Sequence, residues 1–193
     1  FDFAFKLRTD SYPNPDYTVS VKMSKLKDGN YFIHDIRRTR VLPGNWMQFI
    51  LDSAMEDGSK VDIVLPLDPQ TRYSNTFISK DLSSRGFYVR QFAAAGKKAE
   101  RFKPFSSMVM NGGMQILRNC GTDYENDITN DLNFFYKELE AYDGERSSGS
   151  RHDDLCDACS DAFGACAASI QIPSYLSGLQ SSDSIFKTTN PFA

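Results

Sequence analysis

Within five positions the chain places Asp153, Asp154 and Asp157, in the run Arg151-His152-Asp153-Asp154-Leu155-Cys156-Asp157-Ala158. Carboxylates that close repel one another unless an opposite charge joins them. On a helix of 3.6 residues per turn, Asp153 and Asp157 stand at i and i+4 on one face, and Asp154 is about 100° round from Asp153. A carboxylate suits a helix N-terminus, so a cap would account for one of these aspartates, but not for three. A divalent cation would supply the missing charge, with other acids reaching it from elsewhere in the chain.

Two further acids have the right setting. Asp2 lies in the alternating run Phe1-Asp2-Phe3-Ala4-Phe5, where its side chain leaves the face opposite to the phenylalanines. From that stretch alone a solvent-facing aspartate is the simpler reading. Asp68 follows Val61-Asp62-Ile63-Val64-Leu65-Pro66-Leu67, a short run rich in branched residues that suits a strand buried on both faces. The carboxyl end of a central strand is where open α/β sheets put their chemistry, although Asp68-Pro69 is also an ordinary turn.

Basic residues cluster twice. Arg37, Arg38 and Arg40 follow an apolar strand, and Lys97, Lys98, Arg101 and Lys103 open a segment with core-like Phe102, Phe105, Met108 and Val109. Each cluster reads equally as a phosphate contact or as a solvated surface. Cys156, Cys159 and His152 have the spacing to share a helical face and to gather zinc with Cys120; small buried core cysteines are the commoner use of such residues. Nothing in the cysteine pattern suggests a disulfide scaffold.

The elements that position these side chains follow from periodicity. The run from Phe1, the run Tyr17–Met23 and the run Tyr31–Ile36 alternate as strands, the last two joined by a turn at Lys27-Asp28-Gly29-Asn30, which predicts three antiparallel strands. A helix is expected over 43–56, the strand 61–67, a helix over 71–85 with Phe77, Ile78 and Leu82 inward, and a strand over 87–92. That strand-helix-strand crossover gives a parallel pair. A short strand at 114–117, an acidic helix over 126–142, a flexible connection at 143–150 and a final helix over 152–169 complete the order. Residues 1–172 read as one domain and 173–193 as an irregular tail rich in serine, threonine, asparagine and glycine.

At 193 residues with a formal charge of −3, the chain has room for one core and is no uniformly basic nucleic-acid binder, although a nuclease keeps acids for its ions and its basic residues local. No apolar run approaches the roughly 20 residues of a membrane span, so no membrane partner is expected. The abrupt start in a strand suggests an excised domain.

Acids on the first strand, after the fourth strand and on the last helix, in this order of elements, resemble the α/β ribonuclease H-like fold: a mixed sheet of three antiparallel strands followed by parallel strands, flanked by helices. More narrowly, the chain resembles the nuclease domain of a tailed-phage or prophage terminase large subunit. The residues that carry this are Phe1-Asp2-Phe3-Ala4, Pro15-Asp16-Tyr17-Thr18, Asp28-Gly29, Arg101-Phe102-Lys103-Pro104-Phe105-Ser106, and His152-Asp153-Asp154 with Asp157-Ala158. The resemblance runs to about Ala168.

It implies that the first and fourth strands lie side by side, with Asp2, Asp68 and the Asp153/Asp154 pair as catalytic metal ligands and Asp157 or His152 as additional contacts. Two Mg²⁺ or Mn²⁺ ions would serve an endonuclease that cuts double-stranded DNA during viral genome packaging in the host cytoplasm. Its partners would be an N-terminal ATPase half, a portal and a small terminase subunit. This chain carries no Gly-x4-Gly-Lys-Ser/Thr loop for an ATPase. It also departs from the family after the second acid, where Pro69-Gln70-Thr71-Arg72-Tyr73 replaces a small-residue, lysine-containing loop; Arg72 is the candidate substitute for that cation. Two other readings of the same fold are a catalytically silent DNA- or protein-binding module and an integrase- or resolvase-like enzyme.

Overall fold

Alternation of side chains builds the main sheet. β1 (Thr18–Lys25) and β2 (Tyr31–Thr39) pair antiparallel from Thr18 opposite Thr39 to Lys25 opposite Tyr31, with an irregularity between Lys22 and Met23. Gly29 turns the chain between them at φ +90°, a backbone conformation that strains any other L-residue. The computed structural model describes residues 1–4, 9–11, 13–41, 43–67, 69, 71–94, 96–143 and 152–168. Asp68, the connection at 144–151 and the tail from 169 onward therefore lie outside the described residues.

A separate parallel pair, β3 (Ile63–Pro66) and β4 (Val89–Phe92), is joined through α2 (Arg72–Ser84), as the crossover requires. The opening residues link the two sheets. Asp2 and Val19 exchange both backbone hydrogen bonds at 2.9 Å, and the Phe1 nitrogen donates to the Val64 carbonyl at 3.2 Å. The first expected strand is thus a single antiparallel bridge among the described residues, and it sits between β1 and β3, the neighbour relation the resemblance implies. On the far edge of β2, β5 (Met114–Ile116) and β6 (Thr122–Asp123) run parallel to it, and β7 (Ile128–Thr129) returns antiparallel to β6.

Apolar residues cover both faces. On one, Phe3 stacks on Trp46 at 4.7 Å between ring centroids, and α1 (Trp46–Asp57) and α2 enclose Ile50, Ile63, Leu65, Ile78 and Leu82. On the other, Val19, Ile33 and Ile36 meet α3 (Lys98–Met110), α4 (Asn133–Ala141) and α5 (Asp154–Ala168) through Phe105, Phe135 and Leu155. The result is a mixed α/β fold of the ribonuclease H-like kind. Cys156 and Cys159 are fully buried, Cys159 within the second core, all four cysteines are free, and no cysteine joins a metal-sized group of ligand atoms among the described residues. No described helix is long and apolar enough to cross a membrane.

Two expectations are corrected. The acidic helix expected over 126–142 starts only at Asn133, because short polar side chains satisfy the preceding backbone locally. The Asp123 carboxylate accepts from the Glu125 N–H and the Asn126 amide, Asp131 accepts from the Asn133 N–H, and Asp127 and Asn130 take φ of 51° and 56°. Phe77 does not turn inward with Ile78 and Leu82. It is 72% exposed, and Tyr73, one turn earlier, is 83% exposed.

Candidate active site

The paired backbone groups of Asp2 and Val19 send their side chains to the same face of the sheet. Val19 there packs with Leu155, Ala158 and Cys159 of α5, so Asp2 faces that helix. Asp154, Asp157 and Asp161 are spaced i, i+3 and i+7, which puts them in one stripe along α5. Burial and the negative charges of these three aspartates push the Asp2 carboxyl up to about 8. Among the described residues no basic side chain pairs with Asp2.

The helix carboxylates are partly neutralised from α3. Lys98 bridges Asp157 and Asp153, the latter at 2.9 Å, and Arg101 reaches both Asp157, at 3.5 Å, and Asp161. Burial raises the Asp157 carboxyl while Lys98 opposes the shift; Asp161 is likewise raised by burial against the pull of Arg101. Burial would lower the Lys98 ammonium, yet its ion pairs with Asp157 and Asp153 hold it above its usual range. A cavity of about 220 Å³ opens beside Asp2, walled by Arg101 and Asp161 and by the ends of β3 and β4 at Pro66, Leu67 and Phe92.

The N-terminus of α5 is pinned by its neighbours. Asp154 Oδ2 accepts the Tyr17 N–H at 2.8 Å, and Glu138 Oε1 of α4 accepts the N–H groups of Leu155 and Cys156 at 2.6 and 3.4 Å. Burial and the nearby Asp154 charge push the Glu138 carboxyl up to about 7. Asp16, His152 and Asp154 are the group of described residues whose ligand atoms all come within 4.8 Å of one another. His152 Nδ1 is buried without a hydrogen bond, 3.5 Å from Asp154 Oδ2. Two carboxylates and an imidazole within that reach are ligand types that a divalent ion accepts.

The structure thus brings Asp2, Asp154 and Asp157 together, places Asp153 on the Lys98 flank, and leaves Asp68 outside the described residues. Sequence reasoning missed Asp161, Asp16 and Glu138. Asp161 repeats the i+4 step from Asp157 and was legible by extending the spacing, and Asp16 stood in one of the quoted motifs; Glu138 gave no local signal.

The basic residues divide. Arg37 is buried among Asp35, Glu56 and Asp57. Arg38 donates to Asp123 at 2.7 Å between the rings of Tyr17 and Phe134, and Arg40 donates to the Pro15 carbonyl and Asn14 with its guanidinium over Tyr17. These three arginines serve the protein's own interior, and Lys98 and Arg101 serve the acidic stripe. Arg72, Lys97 and Lys103 are exposed.

The family model described as the terminase RNaseH-like domain matches residues 1–165. The chain belongs to this family. A comparison with curated proteins finds no significant match. As a terminase RNaseH-like domain the chain is a nuclease module of phage packaging. The matched span reaches from the Asp2 bridge through Asp161, so the facing acids all lie within it.

Proposed function

We propose that this terminase domain is a metal-dependent endonuclease that hydrolyses phosphodiester bonds of double-stranded DNA during viral genome packaging in the host cytoplasm. The observation that carries this reading is the Asp2 carboxyl held against the Asp154-Asp157-Asp161 stripe with no basic side chain paired to it among the described residues. A module that only binds has no use for such repulsion. Asp2, Asp154 and Asp157 would hold Mg²⁺ or Mn²⁺, with Asp68, Asp153 and His152 as further ligands. Two such ions, when bound, supply an activated water and stabilise the leaving oxygen. Lys98 and Arg101 fix the carboxylates of α5 in place and limit their mutual repulsion. Arg72, Lys97 and Lys103 are free to grip phosphates without reading bases. The ATPase half, portal and small subunit are the partners that would present the DNA.

The test is conversion of supercoiled plasmid to nicked and linear forms with Mg²⁺, Mn²⁺ or EDTA, for the wild-type chain and Asp68→Ala. The reading expects cleavage only with an ion and none by the folded variant. Equal cleavage by both would remove Asp68 from the site, and cleavage in EDTA would remove the metal mechanism.

A further inference from the structure

On α2 the core face is set by Thr71, Asn75, Ile78 and Leu82, all buried. Tyr73 and Phe77, one turn apart, project from the opposite side at 83% and 72% exposure. Scattered exposed apolar residues need no explanation, but two large rings one turn apart on one outward face bury little in this fold. Their surroundings indicate the occupant. Arg72 and Lys80 flank them, exposed and without an ion pair among the described residues, while the one acid of the helix, Asp81, is paired with Arg85. The N-terminal end of α2 borders the candidate active site, since Leu67 and Thr71, just before the helix, line the cavity beside Asp2, Leu67 is itself 52% exposed, and Tyr73 lies in the first turn.

We propose that Tyr73 and Phe77 are an aromatic wedge for duplex DNA, entering the minor groove next to the phosphate to be cut and partly unstacking the adjoining base step. This rests on the nuclease reading and adds how the substrate is deformed. Aromatic and apolar wedges unstack and kink a duplex, while flanking cations hold its phosphates. The kink turns the backbone toward the cavity where Asp2 sits. The wedge contribution comes from stacking and is insensitive to salt, whereas that of Arg72 and Lys80 falls with salt through counterion release.

The experiment measures binding of a short duplex carrying 2-aminopurine, in EDTA across a salt series, beside plasmid cleavage with Mn²⁺. It compares wild type, the double variant Tyr73→Ala/Phe77→Ala, the conservative Tyr73→Phe, and Arg72→Ala/Lys80→Ala, each checked by thermal melting. The wedge predicts a rise in 2-aminopurine fluorescence on binding to wild type and Tyr73→Phe. The double aromatic variant should lose that rise and bind about tenfold or more weakly at every salt concentration, with the salt slope unchanged. The double cationic variant should show a shallower slope. A double aromatic variant that binds, brightens and cleaves like wild type overturns the wedge and assigns the face to a protein partner, leaving the nuclease reading intact. Wild type that cleaves with no fluorescence rise likewise overturns the wedge alone; wild type that neither binds nor cleaves overturns both.

Discussion

Asp2 and Val19 exchange both of their backbone hydrogen bonds, each 2.9 Å, and so present their side chains on the same face of the sheet. Val19 is fully buried against α5. That packing fixes the distance of the helix from the sheet and leaves Asp2 opposite the carboxylates of α5.

The cost of this placement appears in pH dependence. Folded Asp2 keeps its proton to about pH 8, whereas an unfolded aspartate releases it near 3.9. Between those values the folded state binds more protons, so stability falls as pH rises through the window. In EDTA the wild-type melting temperature should drop from pH 5 to pH 8, and Asp2→Asn should flatten that drop and melt higher at pH 8. Parallel profiles for the two proteins would show that Asp2 is not held against the stripe.

Glu138 caps α5 from another helix. Glu138→Ala leaves the Leu155 and Cys156 N–H groups without their acceptor in a buried setting, at a cost of about 1–3 kcal/mol. Glu138→Gln keeps an acceptor oxygen and removes the charge that Asp154 opposes, so it should be near neutral or stabilising at pH 8. Denaturant midpoints of the two variants measure the contrast, and equal losses would contradict the capping role.

Arg38 is a structural residue. Burial would raise the Asp123 carboxyl, but hydrogen bonds from Asn126 and Arg38 hold it below the usual range. Arg38→Ala leaves a fully buried carboxylate without its cation, and such losses cost about 3–5 kcal/mol. The salt slope of DNA binding should stay unchanged in whatever fraction remains folded. A shallower slope with unchanged stability would return Arg38 to the DNA surface.

Lys98 neutralises two of the helix carboxylates. Lys98→Met should raise Mn²⁺ affinity, because the Asp153 and Asp157 charges are then left to the ion. Calorimetric titration reads this directly, and weaker binding would mean that the lysine chiefly orients its ligands.

The sheet order was legible because alternation and turn residues are local signals: β1, the Asp28-Gly29 turn and the β3-α2-β4 crossover all follow from them. The acidic stripe was legible in type but not in facing. Which of Asp153 and Asp154 looks toward Asp2 depends on the rotation of α5, and that is set by Val19 and Leu155 in the core. The pairing of Arg37, Arg38 and Arg40 was not legible for a related reason. Its carboxylate partners Asp57, Asp123 and Glu125 are distant in the chain and meet it only through tertiary pairing. Phe77 was read inward because a large apolar residue beside Ile78 looks like core, yet helical phase turns it out.

The most direct test of the facing acids is Mn²⁺-dependent cleavage of supercoiled plasmid by wild type and by Asp2→Asn at one pH, after melting curves show both folded. The account predicts nicked and linear products from wild type and none above the EDTA control from Asp2→Asn, even though the variant is the more stable protein at pH 8. Cleavage by Asp2→Asn at the wild-type rate would contradict it.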